Sequence, residues 1–108
     1  MNGAAGNDSL WGGAGNDTLT GGAGADTFIY RPSEGTDTIT DYNNSQGDIL
    51  RILKADGTSG TYTGATFASN TLTLAIDGGG SVVFNNVKSG SSININGKTH
   101  KISSSGLS

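Results

Sequence analysis

Cysteine is absent from this chain of 108 residues, and proline and histidine occur once each. Without cysteine there is no disulfide framework, no thiolate metal site and no cysteine nucleophile. The single histidine, His100, lies near two lysines, in a context that matches neither a nucleophile elbow nor a zinc-binding helix. We expect a solvated strand histidine, although a serine and an aspartate could also orient it in space. The chain itself is therefore not expected to be an enzyme.

Other familiar signals are missing as well. The first residues have neither the basic cluster nor the apolar run of a signal peptide, so export would need another route. The stretches GGAGND and GGAGAD lack the lysine of a P-loop and open no helix. The net charge is −3 and the aromatic residues do not interleave with the basic ones, which argues against nucleic acid. We expect neither a nucleic-acid partner nor a membrane span.

Acidic and basic residues are unevenly distributed along the chain. Residues 1–48 contain seven acidic residues against Arg31, a net charge of −6, whereas residues 49–108 have a net charge of +3. The two halves are therefore expected to have different roles or different partners.

Glycine is abundant, and its 19 residues follow no triplet period, which excludes a collagen-like chain. Much of it lies in three consecutive nonapeptides, GAAGNDSLW at 3–11, GGAGNDTLT at 12–20 and GGAGADTFI at 21–29. The second and third fit G-G-x-G-x-D-x-U-x, where U is a large apolar residue, at every defined position. The first departs once, at Ala4.

These residue types suit a calcium ion. Calcium takes about six to eight oxygen ligands, and loop carbonyls converge on one ion only through dihedral angles that glycine adopts cheaply. The aspartate adds negative charge, while Leu10, Leu19 and Phe28 are expected to point into the fold. Ordinary turn residues would explain one such loop. They do not explain nine-residue registration with an apolar residue two positions after each aspartate, which favours calcium ligation.

From Gly3 to about Tyr42 the sequence resembles the RTX (repeats-in-toxin, haemolysin-type calcium-binding) family. The resemblance implies a parallel β-roll in which each nonapeptide is a loop followed by a short strand and forms half a coil. It also implies that a calcium ion lies between loops n and n+2, so that Asp8 and Asp26 share one site.

On the other side of the roll, Asp17 needs a partner further along the chain. The segment GTDTITDY repeats the D-x-U-x half of the motif, so we expect Asp37 to complete a second site, with Asp41 as a further ligand. The predicted metal ligands are Gly3, Ala5, Gly6, Asp8, Gly12, Ala14, Gly15, Asp17, Gly21, Ala23, Gly24, Asp26, Asp37 and Asp41.

After Gly47 the pattern changes to strands without helical periodicity. The predicted strands are DILRIL (48–53), NTLTLAID (70–77), SVVFNNV (81–87), SSININ (91–96) and KTHKIS (98–103), the last two joined by an Asn96-Gly97 hairpin turn. We predict an all-β fold with a calcium-binding parallel β-roll over residues 1–42 and an antiparallel cap over residues 43–108. Such a cap would cover the open end of the roll.

The imperfect first repeat directly after Met1 suggests a C-terminal fragment of a longer protein with further repeats upstream. Trp11, expected to face outward, would then pack on those coils, or else be a singly exposed aromatic residue. The resemblance also implies a C-terminal signal for type I export, which would explain the missing N-terminal one.

The predicted function is a calcium-triggered folding module that is secreted, or held at the cell surface, as part of a larger protein. Its expected partners are calcium ions, the upstream part of that protein and the type I secretion machinery. The alternative is binding of a polyanion such as an anionic polysaccharide by a basic face of the cap. The residues for that face are Arg51, Lys54, Lys88, Lys98 and Lys101.

Overall fold

A computed structural model describes residues 6–13, 15–31, 34–43, 47–54, 56–103 and 106–107. Within these ranges the chain forms strands and no helix. The strands are β1 (Ser9–Trp11), β2 (Thr18–Leu19), β3 (Thr27–Tyr30), β4 (Thr36–Ile39), β5 (Ile49–Ile52), β6 (Tyr62–Ala68), β7 (Thr71–Ile76), β8 (Ser81–Asn85), β9 (Ser92–Ile95), β10 (Lys98–Ser103) and β11 (Gly106–Leu107).

The strands form two sheets, with orders β1-β3-β5-β9-β10-β11 and β2-β4-β8-β7-β6. Consecutive strands from β1 to β5 alternate between the two sheets, and each pairs in parallel with the strand two positions away. This alternation winds the chain into the coils of a parallel β-roll. The predicted all-β class is confirmed.

Inward-facing side chains line up across each sheet because residues that are directly opposite on paired strands point to the same face. In the first sheet Leu10, Phe28, Leu50 and Ile95 lie opposite one another in turn. In the second sheet the corresponding row is Leu19, Ile39, Phe84 and Leu72. All eight side chains are buried. Each contributes roughly 1.5–3 kcal/mol by leaving water, which is what holds the two sheets together.

The ring of Tyr42 lies between the two sheets. Its centroid is 6.4 Å from that of Phe28 in the first sheet and 5.2 Å from that of Phe84 in the second, where the two rings are perpendicular. Such edge-to-face contacts add to the stabilisation that burial provides. Tyr42 is therefore an anchor of the core as well as the residue at which the repeat-like sequence ends.

Parallel pairing continues beyond Tyr42, and here one prediction was wrong. The strands β5, β8 and β9 were expected to be antiparallel cap strands. Instead β5 pairs in parallel with β3, whereas β8 and β9 pair antiparallel with β7 and β10 on one side but in parallel with β4 and β5 on the other. Alternating apolar residues indicate a strand and its buried face, but carry no information on its direction. The division of the chain at residues 42 and 43 stays a prediction.

The antiparallel part consists of two hairpins and the last strand. Between β5 and β8 the chain forms the β6–β7 hairpin before β8 rejoins the roll. At the end of the first sheet β9 and β10 form the predicted hairpin, with Asn96 and Gly97 at φ angles of 55° and 86°. Within the described ranges, no helix has the length and apolar character needed to cross a membrane.

We expect Gly80→Ala to destabilise the fold strongly. A Cβ at Gly80 would collide with the hydroxyl of Tyr30 and lie 2.6 Å from the carbonyl oxygen of Gly35. The matched control is Gly90→Ala, because φ is similar (81° and 88°) but nothing lies within 4 Å of the added carbon at Gly90. Both variants carry the strain of a positive φ, so the collision should cost a further 1–3 kcal/mol or so at Gly80. Equal unfolding free energies in denaturant titrations would contradict this.

Candidate calcium site

The loops that precede the strands stack in two columns. In one column the amide of Asp8 donates to Oδ1 of Asp26 at 3.0 Å. In the other the amide of Asp17 donates to Oδ1 of Asp37 at 3.2 Å. The structure thus brings together the two pairs of loops that the sequence paired, including the irregular loop of Asp37.

Asparagine side chains return a hydrogen bond in each pair. Oδ1 of Asn7 accepts from the amide of Ala25 at 2.9 Å, and Oδ1 of Asn16 accepts from the amide of Thr36 at 2.8 Å. Sequence reasoning missed this role, although the signal was visible as an asparagine directly before the aspartate in the first two repeats. Each pair of loops is therefore fixed by bonds in both directions.

One carboxylate oxygen of each of four aspartates has no hydrogen-bond partner. In the described part of the chain, Oδ2 of Asp8, Asp17, Asp26 and Asp37 is buried and accepts no hydrogen bond. Asp26 and Asp37 are 1% exposed as whole residues. A buried carboxylate oxygen without a partner is costly unless a cation or a proton compensates it. The four oxygens thus require positive charge in both columns.

Successive loops of each column approach closely because glycine, which has no Cβ, lies where they meet. A Cβ at Gly24 would lie 2.5 Å from the carbonyl oxygen of Gly6, and one at Gly35 would lie 2.7 Å from that of Gly15. Both positions have φ near 100°, which glycine adopts without strain. The same close approach in both columns indicates one repeated loop geometry.

The donor set fits calcium better than a metal with nitrogen or sulfur ligands. Among the described residues, no group of three or more acidic, histidine or cysteine side chains could hold a metal ion. Carboxylates alone therefore do not form a site here, and loop carbonyls have to supply the remaining ligands. A hard cation that accepts many oxygen ligands at flexible geometry meets that requirement.

Some of the predicted backbone ligands lie within the described residues and others do not. Gly3, Ala5 and Ala14 lie outside the described residues. The carbonyl of Ala23 accepts a hydrogen bond from the amide of Gly6 at 3.1 Å, within the column of Asp8 and Asp26. The role of these positions as ligands stays a prediction.

Asp41 lies against the loop of Asp26, not against that of Asp17. Its Oδ1 accepts from the amide of Gly21 at 2.9 Å and its Oδ2 from the amide of Gly22 at 2.8 Å. The reason is that the chain after β4 crosses to the other column, where the loop of Asp26 lies. The expectation that Asp41 accompanies Asp37 at the site of Asp17 does not match this placement.

Asp48 extends the column of Asp8 and Asp26, and sequence reasoning missed it. Oδ1 of Asp48 accepts from the amide of Asp26 at 2.8 Å, the same bond that links the earlier pairs. Its Oδ2 accepts from the amide of Asn43 at 2.9 Å. The signal in the sequence was the Gly-Asp-Ile of a loop that ends in a strand, but the nonapeptide spacing is lost there.

Two buried carboxylates of this region, those of Asp37 and Asp48, have raised pKa values. Burial raises the pKa of Asp37 to about 6, and the charges of Asp17 and Glu34 raise it further against the hydrogen bond from the Asp17 amide. Burial also raises the pKa of Asp48, although the amides of Asp26 and Asn43 lower it. Both carboxylates are therefore destabilised in their charged form when no cation is bound.

The basic residues of the cap lie on several elements. Alternation along β10 and its pairing with β9 put Lys101 on the outward face of the first sheet, together with Arg51 of β5, and put Lys98 on the opposite face. Lys54 follows β5, and Lys88 lies between β8 and β9. The five residues therefore do not share one strand face.

His100 and Trp11 have neighbours in the structure. The rings of His100 and Tyr62 are perpendicular, with their centroids 5.6 Å apart, and the hydroxyl of Tyr62 lies 3.4 Å from Nδ1 of the histidine.

Trp11 is 44% exposed, as expected for an outward-facing residue. Its Nε1 donates to Glu34 at 2.8 Å, and the guanidinium of Arg31 lies 5.0 Å from the centroid of its ring.

We expect the metal-free fold to be more stable at pH 5 than at pH 7.5. The pKa of Asp37 is about 6 in the folded state, above the ordinary 3.8, so the folded chain binds the proton more tightly. Its contribution is favourable at low pH and is lost as the pH rises through about 6, by on the order of 2 kcal/mol. Unfolding of metal-stripped protein in denaturant at both pH values measures this. In Asp37→Asn the pH dependence should shrink, and an unchanged dependence would contradict the assignment.

Comparison with known proteins identifies the repeats. Residues 1–29 match the family model described as the RTX calcium-binding nonapeptide repeat (4 copies). No curated protein and no solved structure gives a significant match to the chain.

Proposed function

We propose, from the match of residues 1–29 to the RTX calcium-binding nonapeptide repeat, that the chain is a calcium-triggered folding module of a secreted protein. In this proposal the chain folds outside the cell, caps or stabilises the protein of which it is part, and takes part in type I export. Export by type I systems is typical of proteins with this repeat.

The observation that carries the proposal is the set of four buried Oδ2 atoms without a partner in the described residues, on Asp8, Asp17, Asp26 and Asp37. Stacking places like charges in the same column, where they repel one another and are removed from water. The glycines of the same loops lose much conformational entropy on ordering. Folding of the repeats is therefore unfavourable until positive charge is supplied, and bound calcium supplies it.

The calcium affinity expected for such a module would let it fold outside the cell and not inside it. Extracellular calcium modules have dissociation constants of about 10⁻⁴–10⁻³ M. At about ten times that concentration one site stabilises the fold by roughly 1.4 kcal/mol, and coupled sites add to this. In a calcium-poor cytosol the repeats would stay largely unfolded and the chain would be suited to export, and outside the cell they would fold.

Binding of a polyanion by Arg51, Lys54, Lys88, Lys98 and Lys101 is the alternative proposal. Its support is weaker, because within this set only Arg51 and Lys101 are placed together by strand alternation. The two proposals differ in one measurement. Chelation should unfold the repeats in either case, whereas only the alternative predicts salt-sensitive retention on an anionic polysaccharide.

We expect calcium addition to metal-stripped protein to increase the β-sheet signal in circular dichroism. In isothermal titration calorimetry Asp26→Asn should bind at least one calcium ion fewer than the wild type, since it removes a buried charge from one column. The matched control is Asp77→Asn, which removes an exposed charge outside the roll and should bind as many ions as the wild type.

Two outcomes would contradict the proposal at different points. A β-sheet signal that is the same with chelator and with calcium would exclude calcium-triggered folding. A calcium count that is the same in Asp26→Asn and in the wild type would leave calcium-triggered folding possible but would exclude Asp26 as a ligand.

A further inference from the structure

The aspartates of the roll fall into two groups by the partners of their carboxylate oxygens. In the first group, Asp8, Asp17, Asp26 and Asp37, Oδ2 is buried and has no partner among the described residues. In the second group, Asp41 and Asp48, both oxygens accept hydrogen bonds from backbone amides. The oxygens of the second group thus have backbone partners, which those of the first group lack at Oδ2.

All but one of the amides that bind the second group belong to the loop of Asp26. Asp41 binds the successive amides of Gly21 and Gly22, an arrangement in which neighbouring N–H dipoles converge on one anion. Asp48 binds the amide of Asp26 itself, at the other end of the same loop. Both ends of this loop are therefore held by carboxylates whose four oxygens each accept a backbone N–H.

Asp48 is in turn connected to the hydrophobic core. The hydroxyl of Tyr42 donates to the carbonyl of Asp48 at 2.7 Å and accepts from the amide of Asn94 in β9 at 2.6 Å. The ring of Tyr42 is 8% exposed and contacts both sheets. The position of Asp48 thus depends on the apolar packing of Tyr42 against both sheets, including Phe28 of the third repeat.

We propose that Asp41 and Asp48 are positioning residues that hold the loop of Asp26 in its binding shape without a calcium ion of their own. The inference rests on the proposed calcium-triggered folding and divides the roll into two parts. The loop of Asp26 stays ordered in metal-free protein and presents the free Oδ2 of Asp26. The loops of Asp8 and Asp17 open, since their amides are bound by carboxylates with uncompensated charge.

Amide hydrogen exchange of the full wild-type chain, followed residue by residue by NMR, tests this directly. In metal-stripped protein the amides of Gly21, Gly22 and Asp26 should exchange at least about 10-fold more slowly than those of Asp8 and Asp17, and calcium should protect all five. Equally fast exchange of all five before calcium addition would overturn the inference. If calcium changes the exchange of none of them, the proposed function itself fails.

Substitution of single aspartates distinguishes a residue that positions the loop from a residue that binds calcium. In Asp41→Asn one of the two acceptor oxygens is lost, so protection at Gly21 or Gly22 in metal-free protein should fall by about 10-fold while the calcium count stays unchanged. The matched variant Asp17→Asn should lose a calcium ion and leave the protection of both glycines unchanged. Loss of a calcium ion in Asp41→Asn with intact protection would overturn the inference. If that variant does not fold, the exchange pattern of the wild type decides.

Discussion

Burial of stacked carboxylates is the constraint on which the rest of the structure depends. Winding the chain into coils puts the aspartates of alternate loops directly above one another, linked by amide-to-carboxylate hydrogen bonds. The hydrophobic rows between the sheets favour this arrangement, whereas the charge of the carboxylates opposes it. The free energy gained by apolar burial and the free energy lost by burying charge thus oppose each other. Folding of the repeats is therefore sensitive to any cation or proton that compensates the charge.

The fold was most predictable from the sequence at positions where a residue type has a single structural role. The apolar residue two positions after each aspartate predicted the inward rows of Leu10, Phe28 and Leu19, whereas the two loop pairs were implied by the resemblance to the RTX repeat. The Asn96-Gly97 turn was also predictable, because few dipeptides adopt two successive positive φ angles. In each case the local sequence alone determines the geometry.

The remaining features depended on contacts that no local pattern contains. Asp41 is separated by 20 positions from Gly21, and its placement follows from the crossing of the chain between columns. The parallel direction of β8 and β9 follows from which neighbour they meet, since alternation in a strand is the same in both directions. Asn7 and Asn16 were visible in the sequence, but an asparagine in a turn usually bonds locally, and here it bonds to the next coil.

The hairpin β6–β7 has a consequence for how such a fold can grow. It interrupts a coil of the roll between β5 and β8, yet β8 still pairs with β4 over four residue pairs in continuous register. The entropy of closing a loop rises only slowly with its length, so the roll keeps its register whether the connection is short or long. A coil of this kind can therefore host an inserted structural unit, and new surface can be added to the roll without altering its columns of stacked aspartates.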